Sequence, residues 1–179
     1  MTLTRFTGGA TGAWQIDRIL SISGPTLAPA ERLDVAEASP AADSRAAWTL
    51  SGASSYKRYT SRAEQAALDA VQPALGRPEA RCAALIPITK TTRWWDLSQD
   101  ERRAVFEETS HHISVGLEYL PAVARHLYHG HDLGEPFDFL TWFEYAVGDT
   151  IAFEELLDRL RTSREWDYVE REVDVRLSR

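Results

Sequence analysis

The hydrophobic pattern divides the chain into short strands and short helices. Trp14, Ile16, Leu20 and Ile22 fall at even spacing within Ala13 to Ser23. That two-residue period predicts a strand, although Ile19 breaks strict alternation. Pro25 to Ser44 is rich in Ala, Pro, Glu and Asp with weak periodicity, which predicts a long surface loop. Ala47 to Ser51 reads as a second strand. From Ser61 to Leu75 the period lengthens: Ala67, Leu68, Val71 and Leu75 form one apolar stripe. Ser61 and Glu64 have capping-box spacing, so a helix is expected there, ended by Pro73, Gly76 and Pro78.

Arg81 to Thr89 is a short apolar run and predicts a buried strand. Ser98 with Glu101 repeats the capping-box pattern and opens a helix through Glu108, with His112 as its furthest extent. Leu120, Ala124 and Leu127 predict a helix over Leu117 to Tyr128. After the turn at Gly134 to Pro136, Phe137 to Tyr145 carries β-favouring residues on both faces, as in a strand covered on both sides. Asp149 or Thr150 caps a helix with the stripe Phe153, Leu156, Leu157 and Leu160. Glu165 to Leu177 alternates Val169, Val173, Val175 and Leu177 with Glu170, Glu172, Asp174 and Arg176, which predicts a strand with one wet face. Mixed strands and helices with an antiparallel last strand point to an α+β fold in one folded unit.

Composition narrows the partners. The 179 residues suffice for one hydrophobic core, and 44% apolar with 26% charged residues is globular rather than disordered. The net charge of −7 disfavours nucleic acid and anionic membrane surfaces as partners. A small-anion substrate would need a local positive site. Lys57 and Lys90 are the only lysines, so nearly all positive charge is arginine. Cys82 is the only cysteine, which excludes an intramolecular disulfide or a CxxC zinc site, and it reads as a small apolar residue. The N-terminus lacks a signal-peptide pattern and no apolar window spans a bilayer, so a cytoplasmic protein is expected.

All five histidines lie between His111 and His131. His126, His129 and His131 could ligate a metal, but no H-E-x-x-H spacing appears, and polar residues near a helix end are the plainer reading. On a continuing helix, Val105, Thr109, His112 and Gly116 share a face, where a glycine would let a flat ring approach the backbone. A histidine on such a face is more often structural than a ligand.

The wider pattern adds to this. His112 to His129 is followed by Leu133 to Glu144, which contains Phe-Asp-Phe-Leu-Thr-Trp-Phe-Glu. Upstream stand Ile86 to Lys90, Arg93-Trp-Trp95 and Glu101 to Arg103; downstream stand Glu165-Trp166 and Arg176-Leu177. This block, about residues 56 to 179, resembles the chlorite dismutase family closely, and the N-terminal part matches loosely.

The resemblance implies a ferredoxin-like α+β fold, a dimeric α+β barrel with antiparallel sheet and packed helices. It implies a reduced N-terminal half over about 1–80 and a haem-binding C-terminal half over about 81–179. It implies haem b (iron protoporphyrin IX), with His112 as the iron ligand and Glu165 accepting its other ring N–H. Arg125 resembles the arginine of the open haem face, which would bind the chlorite anion. Thr141 and Phe143 would line that pocket, and Lys90, Trp95 and Tyr59 are candidate haem contacts. The reaction implied is chlorite to chloride and dioxygen, through ferryl haem and transient hypochlorite. Short members resemble homodimers. A coprohaem decarboxylase relative or a non-enzymatic haem-binding protein are the alternatives, and Arg125 argues against the former. One geometric condition follows. A straight helix from His112 to Arg125 would separate them by about 20 Å, so the chain must bend, at Gly116 or Pro121.

Overall fold

The computed structural model describes residues 2–37, 45–54 and 59–179. Its strands are β1 (Thr2–Gly9), β2 (Trp14–Ser23), β3 (Arg32–Glu37), β4 (Trp48–Ser54), β5 (Cys82–Lys90), β6 (Val123–His129), β7 (Phe139–Tyr145) and β8 (Val169–Ser178). They close into an antiparallel barrel in the order β1-β3-β2-β8-β5-β7-β6-β4. This corrects the expected ferredoxin-like α+β fold with its antiparallel sheet and packed helices. The overturning feature is closure within one chain: β1 pairs with both β3 and β4, and β2 pairs with β8. Thr2–Gly9, and Arg32–Glu37 within the stretch that read as a loop, supply strands that remove the sheet edges.

Five short helices accompany the barrel among the described residues: α1 (Arg62–Val71), α2 (Thr92–Asp96), α3 (Gln99–Arg103), α4 (His112–Glu118) and α5 (Thr150–Arg161). Both expected capping boxes form, at Ser61 with Glu64 on α1 and at Ser98 with Glu101 on α3. None of the helices is long and apolar enough to cross a membrane.

Two cores result from strands that are apolar on both faces. Inside the barrel, Leu85 of β5, Leu140 and Trp142 of β7, and Val173 and Val175 of β8 meet Phe6, Leu33 and Leu50. On the outer face, Ile86 and Ile88 of β5 and Phe139 and Phe143 of β7 pack with Val115 of α4 and Phe153, Leu156 and Leu160 of α5. Each apolar face of a central strand therefore has a cover, as expected for Phe139–Tyr145.

Three local expectations are corrected. Leu117 to Tyr128 is not a helix: α4 stops at Glu118, a turn carries the cis Leu120–Pro121 bond, and β6 follows. The chain does bend between His112 and Arg125. Part of the expected loop after Pro25 is β3. The face of β8 expected to be wet is exposed at Glu170 but buried from Glu172 on: Glu172 and Asp174 are each 1% exposed. Arg161 of α5 covers them, its Nε donating to Glu172 Oε1 at 2.8 Å and its Nη2 to Asp174 Oδ2 at 2.9 Å. Arg176 reaches Asp174 and, on α5, Glu154. Charged residues alternate here because they pair internally, not because they meet water.

Candidate functional site

A cavity opens between the outer face of β5, β7 and β6 and the helices. It holds about 1280 Å³ of atom-free space, its mouth included, and Ile86, Ile88, Phe139, Phe143, Leu157 and Leu160 make much of its wall apolar. His112, Glu165, Arg125, Lys90, Tyr59, Thr141 and Phe143 all line it.

His112 is the first residue of α4. Its Nδ1 lies 2.7 Å from Glu165 Oε2. Lys90 Nζ donates to the other oxygen, Oε1, at 2.7 Å. The Glu165 side chain is 5% exposed and that of Lys90 1%. Burial alone would raise the Glu165 carboxyl, but the Lys90 ammonium and the His112 ring outweigh it and hold the pKa down to about 2. Glu165 is therefore an acceptor, so the proton of this contact sits on Nδ1 of His112. In the neutral ring that leaves the Nε2 lone pair available, and Nε2 has no protein partner among the described residues.

Glu165 reaches this place from a 3₁₀ turn, Arg164–Tyr168, which directly follows α5. Ser110 Oγ accepts the Glu165 backbone N–H at 2.8 Å. Trp166 Nε1 donates to Glu172 Oε2 at 2.8 Å, and Tyr168 O accepts from Thr91 N at 2.8 Å. The turn is thus tied to the barrel on both sides of the carboxylate.

Arg125 projects from β6, where it pairs with Phe143 of β7. Its guanidinium rests on Gly116 of α4; a Cβ there would lie 2.5 Å from Nη1 and 2.7 Å from Cζ. The space left by that glycine is filled by Arg125 rather than left open. Loss of water lowers the Arg125 pKa from its ordinary value, partly offset by the nearby charges of Glu107 and Glu165. Among the described residues the guanidinium makes no side-chain hydrogen bond or ion pair. It is a partly buried cation without a bonded protein anion among the described residues, as binding of a small anion requires.

The remaining candidates separate. Tyr59 meets Trp94 and Phe106 edge-on or tilted, with ring centroids 5.9 Å apart in both cases. Lys90 spends its ammonium on Glu165 and on the face of Trp94, 4.4 Å away, rather than at the cavity mouth. Trp95 is not on the wall. It stacks on His131 at 3.6 Å, and its Nε1 donates to Asp138 at 3.3 Å. Its neighbour Trp94 is on the wall instead. His126 and His129 also line the cavity, whereas His131 pairs with Asp138 at 2.6 Å. No group of three or more His, Cys, Asp or Glu side chains that could hold a metal ion occurs among the described residues.

Sequence reasoning passed over Trp94, Glu107, Ser110 and Gln72, whose Nε2 donates to the Arg125 carbonyl at 2.6 Å. No local motif marks them; only the Trp94-Trp95 pair drew notice, and a pattern of two cannot say which ring turns inward.

A flat apolar macrocycle carrying a metal and acidic side groups fits these residues. The wall is apolar, one imidazole offers a lone pair, and Trp94 on the wall keeps a buried Nε1 without a hydrogen-bond partner among the described residues.

The family model described as chlorite dismutase matches residues 32–179. A crystal structure of a dimeric chlorite dismutase from Nitrobacter winogradskyi is 54% identical, covers 98% of this chain and 99% of its own, and superposes with a TM-score of 0.92. A variant chlorite dismutase from Candidatus Nitrospira defluvii shares the fold at 19% identity, with 99% of this chain and 91% of that chain covered and a TM-score of 0.69. The curated chlorite dismutase of Ideonella dechloratans is 36% identical over 77 residues, 43% of this chain and only 25% of that longer protein. The chain belongs to the chlorite dismutase family.

Proposed function

We propose that the protein is a haem b-dependent chlorite dismutase that converts chlorite to chloride and dioxygen and works as a homodimer. One observation carries this reading. A single apolar cavity holds both an imidazole whose Nδ1 is committed to a buried carboxylate and a partly buried guanidinium with no bonded protein anion among the described residues. The dimer follows the dimeric Nitrobacter relative.

Haem, when bound, supplies the oxygen-atom transfer chemistry that no side chain offers. His112 would hold its iron through Nε2. Glu165 accepts the Nδ1–H, which fixes the tautomer and ring direction and makes the imidazole a stronger donor. Lys90 occupies Oε1 of Glu165 and keeps the carboxylate ionised, so that Oε2 stays available to His112. Arg125 draws the chlorite anion into a protein whose net charge of −7 would otherwise repel it. It also retains the hypochlorite anion long enough for the second oxygen to be used. Thr141 and Phe143 border the same space, and the phenyl ring limits water beside the anion.

Addition of haem should produce a Soret band of a histidine-ligated ferric centre, and His112→Ala should abolish that signature. An oxygen electrode should then record dioxygen release on adding chlorite. Arg125→Ala should slow release and leak more hypochlorite into a chlorination trap. No Soret band ends the reading; a Soret band without oxygen release leaves only a haem carrier.

A further inference from the structure

The carboxylate of Glu107 lends its charge to the surroundings of Arg125, but its hydrogen bonds go elsewhere, and the residue is only 9% exposed. It sits in a π-helical turn, Ala104–Thr109, between α3 and α4. Its Oε2 accepts from the backbone N–H of Ile113 at 2.6 Å, and its Oε1 from that of Ser114 at 3.3 Å. These are the second and third residues of α4, whose amides normally bond to the residue just before the helix. That residue is His111, which is left-handed at φ 53° and makes no side-chain cap. Glu107 therefore caps the helix from six residues upstream. The wide π turn carries its side chain over the helix start, and its own carbonyl accepts the His111 N–H at 2.9 Å.

The same segment holds His112 in two further ways. Phe106 stacks on the His112 ring, with centroids 4.4 Å apart and 24° between planes. Ser110 anchors the backbone of Glu165, the partner of His112 Nδ1. We propose that Glu107 is a positioning residue for His112. It fixes the first turn of α4, and so the direction in which Nε2 is presented to the cavity. The inference rests on His112 being the haem ligand, as proposed above. Glu165 holds one edge of the ring; Glu107 holds the backbone from which the ring hangs. Without the cap, the first turn of a seven-residue helix frays and the ring samples more than one direction.

Haem-loaded Glu107→Gln and Glu107→Ala test this, both checked for folding by circular dichroism. The iron–imidazole stretching band of the reduced protein should broaden or split. Haem loss to an excess scavenger should accelerate by about ten- to a hundredfold in the Ala variant. The Gln variant, which keeps one acceptor and the volume, should fall between it and the parent. In the haem-free chain, amide exchange at Ile113 and Ser114 should rise selectively. A lowered melting temperature with the parent's band and haem-loss rate would mean a structural cap only and overturn the proposal. If the Ala variant does not fold, the Gln variant decides alone. Failure of the ligand assignment is seen separately, as a His112→Ala protein that keeps an imidazole-ligated spectrum. Exchange at the two amides reports on Glu107 without haem.

Discussion

Replacing Lys90 by Met isolates the contact on which the His112 tautomer depends. Met matches the length and volume of the Lys stem but removes the ammonium from a side chain that is 1% exposed. Glu165 would then be a buried carboxylate with only His112 beside it. The gap between its ordinary value of 4.5 and the folded value of about 2 corresponds to about 3 kcal/mol, the net of burial against Lys90 and His112 together. Breaking a buried ion pair by removing one partner costs about 3–5 kcal/mol in other proteins. For a chain of this size a loss of about 3 kcal/mol lowers Tm by roughly 6–12 °C. The pH dependence has a definite sign. A depressed carboxyl stabilises fully above about 4.5, and that stabilisation is lost as pH falls toward about 2. In Lys90→Met, burial is no longer opposed by the ammonium, so the Glu165 carboxyl rises and acid costs the variant less than the parent. Urea unfolding of the haem-free chains should therefore show a large gap near neutral pH that narrows toward about pH 4. Lys90→Met/Glu165→Gln should cost less than the sum of the single changes. A penalty below about 0.5 kcal/mol, as at an exposed pair, or a gap that does not change with pH, would refute the reasoning.

Other outcomes follow from neighbouring contacts. Glu64 caps α1 and bridges to Arg103 of α3, which holds its carboxyl down to about 2, so Glu64→Ala should cost about 1 kcal/mol in urea unfolding after allowance for solvent. That contribution should fade as pH falls from about 4.5 toward about 2, and an unchanged midpoint at neutral pH would count against it. Trp166→Phe removes the indole donor to the buried Glu172 and should cost about 1–3 kcal/mol, with Glu165 less well ordered in the spectrum of the loaded protein. Gly52→Val should destabilise strongly, because a Cβ at Gly52 would lie 2.5 Å from Tyr128 Cβ, whereas Gly148→Ala meets nothing within 4 Å and should leave Tm nearly unchanged.

Strong local periodicity was legible, and long-range closure was not. The stripes of α1 and α5 and the apolar runs of β5 and β7 each carry several residues in one period, so neighbours alone decide them. At β6, Leu120, Ala124 and Leu127 fit a helical spacing by coincidence. The segment becomes a strand because Pro121 interrupts it and because β7 pairs with it from Val123 to His129. At β3 only Leu33 and Val35 alternate, too few to outweigh the Pro- and Ala-rich surroundings, and its pairing with β1 and the start of β2 is not announced by its own residues. The acidic face of β8 misled for another reason: its cover is Arg161, and no rule of alternation tells a carboxylate facing water from one facing an arginine. At the site, the requirement that the chain bend between His112 and Arg125 came from helix dimensions alone. Which of two adjacent tryptophans faces inward, and a cap acting across six residues, depend on the π turn and the left-handed His111, and nothing in the residue types announces either.

The charges between α5 and β8 act as a ruler. Arg161 spans Glu172 and Asp174, and Arg176 spans Asp174 and Glu154, so two cations meet carboxylates at fixed points along the sheet. If α5 slid by one turn, about 5.4 Å, Glu172 would lose its arginine in a dry layer and Asp174 would keep only Arg176 of its own strand, at a cost of several kcal/mol. An all-leucine contact would tolerate such creep far more cheaply. Because the Glu165 turn starts where α5 ends, a helix that cannot slip delivers that carboxylate to the same spot in every molecule.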